Sequence, residues 1–155
     1  MKNTVKISVV IVTYNVGNYI VECVKSVQKS MAQAGVMGEI IIVDNNSKDN
    51  TISQVEKMSS DLLLIKNSKN LGFPIANNQA FKLCQGEFVF VLNPDTITSE
   101  TCVKHLIDLL SQNANCGVVG PRLIYPDGRL QYTCWRELNL LAIFMGTWFL
   151  DRYLP

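Results

Sequence analysis

The sequence predicts an α/β fold: a mostly parallel, twisted sheet with helices on both faces. Three observations predict it. Short apolar runs rich in Ile, Val, Leu and Phe begin near residues 7, 39, 62, 87 and 117. Between the runs lie segments whose apolar residues recur at helical spacing, and strand–helix alternation gives a parallel sheet joined by right-handed crossovers. Several runs stop on Thr, Asn or Asp, and the carboxyl ends of strands are where open parallel sheets bind ligands.

Ile7–Val12 reads as a buried strand that stops at Thr13-Tyr14-Asn15. Tyr14 offers an apolar face and a polar tip, suited to a flat ring. The alternative is an ordinary strand–helix turn with Asn18 as the helix cap. Ile20, Cys23, Val24, Val27 and Met31 then mark the buried face of a helix, and Gly35 and Gly38 bracket its exit. Glu39–Val43 is the second strand. It ends on Asp44-Asn45-Asn46-Ser47, where Asp44 either accepts hydrogen bonds from a ligand or closes an Asx-turn. Ser47 or Asp49 heads a short helix near residues 50–58.

Leu62–Ile65 is the third strand. The loop from Asn67 to Gly72 feeds a helix with Pro74 in its first turn, an arrangement open to anions. Its buried face holds Ala76 or Asn77, Ala80, Phe81 and Cys84, and it ends near Gly86. At least one of Asn77 and Asn78 is expected to bond a neighbouring loop. No GxxxxGK[ST] or GxGxxG motif is present.

Phe88–Leu92 (FVFVL) reads as a fully buried central strand that stops on Asn93-Pro94-Asp95. One carboxylate, with substrate phosphates and water filling the shell, is how Mn2+ or Mg2+ is usually held. The alternative is that Asp95 only caps the turn. Thr98 or Ser99 then caps a helix with Val103, Leu106, Ile107 and Leu110 on one face. Cys116–Gly120 is expected to form a fifth strand. Pro126-Asp127-Gly128 should join Leu123–Tyr125 to Leu130–Tyr132 as a hairpin.

The chain's 155 residues suit one domain with a sizeable core. A net charge of +1 gives no electrostatic case for nucleic acid as a partner. The first apolar run is too short for a signal peptide and lacks a cleavage site, so a cytoplasmic protein is expected. The five cysteines form no CxxC pair, which points to reduced core thiols. His105 falls on the wet side of its helix and is given no ligand role. Leu138–Leu150 (LNLLAIFMGTWFL) is apolar and uncharged, too short to span a membrane. It packs in the core, lies in a bilayer interface, or docks on a partner.

Four segments in order, each at a strand end, carry a family resemblance: ISVVIVTYN (7–15), IIIVDNNS (40–47), NLGFPIANNQA (70–80) and EFVFVLNPDT (87–96). Together they resemble the nucleotide-binding half of family 2 glycosyltransferases, which have the GT-A fold, a Rossmann-like fold of nucleotide-diphospho-sugar transferases. GVVGPRLIYPDGRLQY (117–132) resembles the rhamnosyltransferase-like branch. The resemblance implies a donor-binding domain over residues 1–135, with 136–155 leading toward an acceptor-binding half. It implies that Thr13, Tyr14 and Asn15 hold the nucleobase, that Asp44 bonds uracil or thymine, and that Gly72 and Asn78 lie beside the nucleotide. Asn93-Pro94-Asp95 falls on the DxD position, with Asp95 the protein ligand of Mn2+ or Mg2+; Asn93 replaces the first Asp and lowers the charge there.

The activity so implied is inverting transfer of a sugar from a UDP- or dTDP-sugar to a hydroxyl of a glycan or lipid-linked acceptor, in cell-surface polysaccharide or glycan synthesis. It implies work at the inner face of the membrane, and a homodimer is left open. The catalytic base is expected beyond Pro155. Two alternatives are kept. One is a non-catalytic module, membrane-associated or built for interaction, on the same scaffold. The other, a nucleotidyltransferase, is disfavoured by the loop TYNVGN, which is neither glycine-rich nor basic.

Overall fold

The computed structural model describes residues 6–58 and 62–131. It divides into two compact units, Met1–Val119 and Gly120–Pro155. In the first, four parallel strands form one sheet: β1 (Ile7–Thr13), β2 (Gly38–Asp44), β3 (Leu62–Lys66) and β4 (Phe88–Leu92), in the order β3-β2-β1-β4. Helices α1 (Ile20–Ala34), α2 (Thr51–Glu56), α3 (Phe73–Phe81) and α4 (Cys102–Gln112) alternate with them.

Strand alternation sorts the core into two layers. Ile7, Val9 and Ile11 of β1 and Ile40 and Ile42 of β2 pack with α1, α2 and α4 through Val24, Val27, Val55, Val103 and Ile107. Val10, Val12, Ile41 and Val43 point the other way, onto Ala76 and Ala80 of α3. Helices therefore cover both faces, as the alternating pattern predicts. Each fully buried aliphatic side chain contributes about 1.5–3 kcal/mol through the area it removes from water. Gly35 ends α1 in the left-handed region at φ 65° and donates its N–H to carbonyls of the last turn.

Several expectations are corrected. First, β4 is not central among the described strands: it flanks only β1. Its Phe88, Phe90 and Leu92 reach the α1–α4 layer. Val89 and Val91 stay 47% and 43% exposed, because on that face α3 covers β1 and β2 but not β4. Second, Cys116–Gly120 is not a strand. No described strand offers it a ladder, and Val118 is 87% exposed. Third, the helix starts differ. Neither Asn18, Thr98 nor Ser99 is an N-cap; α1 and α4 begin after Tyr19 and Thr101, which make no side-chain cap bond. Asp49, however, does serve α2, accepting the Thr51 N–H at 3.0 Å. α3 ends at Phe81, short of Gly86, and Phe81 is exposed.

The second unit contains a two-stranded antiparallel hairpin, β5 (Leu123–Ile124) and β6 (Leu130–Gln131). Gly128 turns it at φ 85°, and Tyr125 N–H donates to the Arg129 carbonyl at 2.8 Å. Tyr132, the boundary near residue 135 and the apolar stretch 138–150 lie outside the described residues. Among the described residues no helix is long and apolar enough to cross a membrane.

Candidate functional site

The strand order fixes where a ligand fits. Successive strands step from β1 to β2 to β3, and then β4 joins β1 on its other side. At such a reversal the loops leaving the two strands diverge and a crevice opens at their carboxyl ends. The loops after β1 and β4, carrying Tyr14-Asn15 and Asn93-Pro94-Asp95, flank that opening. The loop after β2, carrying Asp44, lies on the far side of β1 at the same edge.

Asp44 is 1% exposed and tied within the protein. Its Oδ2 accepts from the Thr13 hydroxyl at 3.0 Å and the Ser47 hydroxyl at 2.5 Å; its Oδ1 accepts from Ser47 N–H at 2.8 Å. The Ser47 hydroxyl in turn accepts Asn15 N–H at 2.9 Å, and Asn15 Oδ1 accepts Lys48 N–H at 2.7 Å. The first and second loops are thus one hydrogen-bonded unit. Asn15 and Asn46 take positive φ, 55° and 69°, a conformation that Asn tolerates better than most residues. Tyr14, beside this unit, is 49% exposed and free to meet a ring.

Asp49 extends the same unit. Its carboxylate accepts from the Thr51 hydroxyl at 2.5 Å and from Gly17 N–H at 3.0 Å. The Thr51 hydroxyl bond, followed by the Gly17 amide, holds its pKa below the ordinary 3.8.

Asn45 faces opposite to Asp44 and fastens the third loop, a role that sequence reading missed. Its Oδ1 accepts Asn67 Nδ2 at 2.9 Å and Leu71 N–H at 3.4 Å, and its Nδ2 donates to the Gly72 carbonyl at 3.4 Å. A polar residue directly after a buried strand was the available signal. Gly72 sits at φ 82°, ψ 162° and leads into α3. The expectation that Asn77 or Asn78 bonds a neighbouring loop fails. Asn77 Nδ2 donates within its own helix, to the Phe73 carbonyl at 2.9 Å, and Asn78 is exposed. Gln79 takes the role instead, exchanging bonds with Asn67 at 2.9 and 3.0 Å.

Asn93 and Asp95 are both exposed, and the Asp95 carboxylate bonds no described residue. It caps no described helix. No cluster of three or more His, Cys, Asp or Glu side chains occurs among the described residues. A lone exposed carboxylate at the crevice fits a hard cation that takes its other ligands from phosphate and water, and does not fit an all-protein cage. Behind the turn, the Asn93 carbonyl accepts the Thr96 hydroxyl at 2.7 Å and the Cys23 thiol at 3.4 Å. Burial pushes the Cys23 thiol from 9.0 up to about 11. Neighbouring Thr96 pulls it partway back, and the Asp95 charge adds to the rise.

The model of glycosyl transferase family 2 matches residues 8–148, and the chain belongs to that family. Over 124 residues it is 31% identical to glycosyltransferase GlyG of Streptococcus pneumoniae, covering 78% of this chain and 40% of GlyG. Over 105 residues it is 36% identical to the poly(ribitol-phosphate) beta-glucosyltransferase of Bacillus spizizenii, covering 64% of this chain and 16% of that enzyme. Residues 1–349 of S. aureus TarS in complex with UDP-GlcNAc superpose with a TM-score of 0.58 at 30% identity, over 69% of this chain and 31% of that one. The Pyrobaculum calidifontis mannosyltransferase PcManGT, in complex with GDP-Man and Mn2+, shares the fold at a TM-score of 0.64 and 22% identity, over 79% of this chain and 36% of that one. The architecture is the GT-A type expected from the sequence. The chain spans less than half the length of each of these four proteins.

Proposed function

We propose that this chain binds a nucleotide-diphospho-sugar at the carboxyl edge of β1, β2 and β4, as the donor-binding part of an inverting glycosyltransferase. The donor is a UDP- or dTDP-sugar and the acceptor a hydroxyl of a glycan or lipid-linked molecule. The single observation that carries the reading is the gathering of Tyr14, Asp44 and Asp95 at one edge of one parallel sheet, around its strand-order reversal. TarS, a neighbour of the same fold, was solved with UDP-GlcNAc, which supports the nucleotide class.

In this reading the nucleobase lies against Tyr14, within the loop Thr13–Asn15. Asp44 keeps one lone-pair position on Oδ1 beyond its three internal bonds, and that position takes a base N–H. Gly72 lets the backbone approach the nucleotide, with Asn78 on the first turns of α3 beside it. Asn93 and Asp95 face the diphosphate. Asp95 holds Mn2+ or Mg2+, which when bound supplies positive charge against the leaving diphosphate. Acceptor deprotonation needs a general base. Asp44 is engaged with three donors and Asp95 faces the metal, so neither is assigned that role.

Calorimetric titration of UDP and dTDP, with and without Mn2+, tests the reading. Mn2+-dependent binding that is lost in Asp95→Asn is the expected result. Binding that is equally strong without Mn2+, or unchanged in Asp95→Asn, overturns the metal assignment.

A further inference from the structure

Asp95 stands in a stretch without regular structure between β4 and α4, and a carboxylate that ligands a metal has to be held to within a fraction of an ångström. Its own turn supplies two bonds, from Thr96 N–H at 3.3 Å and the Thr96 hydroxyl, both to the Asn93 carbonyl. Cys102 N–H donates to the Ser99 carbonyl at 3.1 Å farther along, and further bonds come from α1. Cys23, Ser26 and Ser30 are spaced so that they lie along one side of that helix. The Cys23 thiol donates to the Asn93 carbonyl at 3.4 Å. The Ser26 hydroxyl accepts Thr98 N–H at 2.9 Å. The Ser30 hydroxyl donates to the Glu100 carbonyl at 3.2 Å and accepts Val103 N–H at 3.1 Å, an amide that the first turn of α4 leaves without a partner.

Polar side chains on the buried side of an amphipathic helix are unfavourable unless bonded. All three here bond one stretch of chain, residues 93–103, while the Ser26 hydroxyl also donates to the Cys23 carbonyl of its own helix at 2.7 Å. The same stretch buries the Thr98 hydroxyl without a partner, so that side chain does not hold it in place.

We propose that Cys23, Ser26 and Ser30 are positioning residues: they form a polar seam on α1 that clamps residues 93–103 and sets where the Asp95 carboxylate stands in the crevice. The proposal rests on the reading of Asp95 as a metal ligand. α1 is thereby both a wall of the core and the back-plate of the metal loop.

The test uses the full chain with UDP, dTDP and GDP in turn as probes, titrated with Mn2+. Cys23→Ala and Ser26→Ala should each raise the Mn2+ concentration needed for half-maximal nucleotide binding, by about 10-fold when the outer support of a metal ligand is lost. Nucleotide affinity without Mn2+ should not move. Cys23→Ser, which keeps a donor, should recover most of the wild-type Mn2+ dependence. Hydrogen exchange of the free protein should show faster exchange at Thr96 and Thr98 in Cys23→Ala and Ser26→Ala, with the β1 amides unchanged.

Unchanged Mn2+ dependence in both alanine variants overturns the proposal, as does unchanged exchange at Thr96 and Thr98. If Cys23→Ala does not fold, Ser26→Ala decides. If the wild type binds nucleotide regardless of Mn2+, or Asp95→Asn behaves as wild type, the metal reading fails, and exchange at Thr96 and Thr98 still decides whether the seam holds the turn.

Discussion

Thr13 and Asp44 are register partners at the last rung of β1 and β2, and their side chains are bonded at 3.0 Å. Two strands that carry almost only aliphatic residues thus end on a buried polar pair. That pair welds the loops that follow, because the Asp44–Ser47–Asn15 chain starts from the same carboxylate.

Replacing Asp44 therefore has a structural consequence before any functional one. Asp44→Ala removes three acceptor contacts and leaves Ser47 N–H and the Thr13 hydroxyl buried without a partner. Stranded buried donors cost about 1–3 kcal/mol each, so the loss should reach about 2–6 kcal/mol. Asp44→Asn keeps an acceptor oxygen and should cost less. Urea unfolding of both variants checks the order. Nucleotide binding in Asp44→Ala is to be measured only where that variant remains folded.

Gly72 shows strain without crowding. At φ 82° and ψ 162° its backbone lies in a region almost exclusive to glycine, yet a Cβ there would meet only Pro74 Cδ, at 4.0 Å. Gly72→Ala should lose about 1–3 kcal/mol through conformation alone. It should also weaken nucleotide binding, as the loop held by Asn45 shifts. If thermal unfolding of Gly72→Ala matches wild type, the loop does not require this conformation.

The strands and their polar stops were legible because burial on both faces leaves little room for polar residues before the ligand edge. Thr13 and Asp44 stand out for that reason. What hid was of two kinds. FVFVL reads as central, but its edge position is set by strand order, and run composition does not encode order. The loop from Asn93 to Thr101 is rich in Thr and Ser, so it mimics a helix cap. The actual partner of the α4 first turn is Ser30, 73 residues earlier in the chain. Cys23, Ser26 and Ser30 all act across such separations, where local pattern carries no signal.

Asp49 gives a pH dependence whose sign follows from its bonds. Its carboxyl pKa lies below the ordinary 3.8 in the folded chain, chiefly through the Thr51 hydroxyl and then Gly17 N–H. A carboxylate with a depressed folded pKa stabilises the protein above the unfolded value and loses that effect as pH falls through the folded one. Asp49→Asn should therefore lower Tm near neutral pH. The gap to wild type should close as pH drops from about 5 to below about 3. A gap that stays constant over that range would show that the charge on Asp49 contributes nothing.

Cys23 carries the opposite shift. Burial raises its thiol to about 11, so at neutral pH almost no thiolate exists to attack an alkylating reagent. Of the other thiols, Cys84 and Cys102 are only partly buried, and Cys116 is partly exposed. Iodoacetamide at pH 8 followed by peptide mapping should label Cys23 last among these four, and at full rate only after denaturation. The linkage sign follows: the protonated thiol stabilises the folded state below the unfolded value of 9.0, and that effect is lost as pH rises toward 11. Because the thiol bonds the Asn93 carbonyl, deprotonation also removes the donor that steadies the Asp95 turn. Exchange at Thr96 should then rise as pH approaches 11 more steeply than at β1 amides, after correction for intrinsic rates. Early labelling of Cys23 in the native protein would contradict the burial that sets both effects.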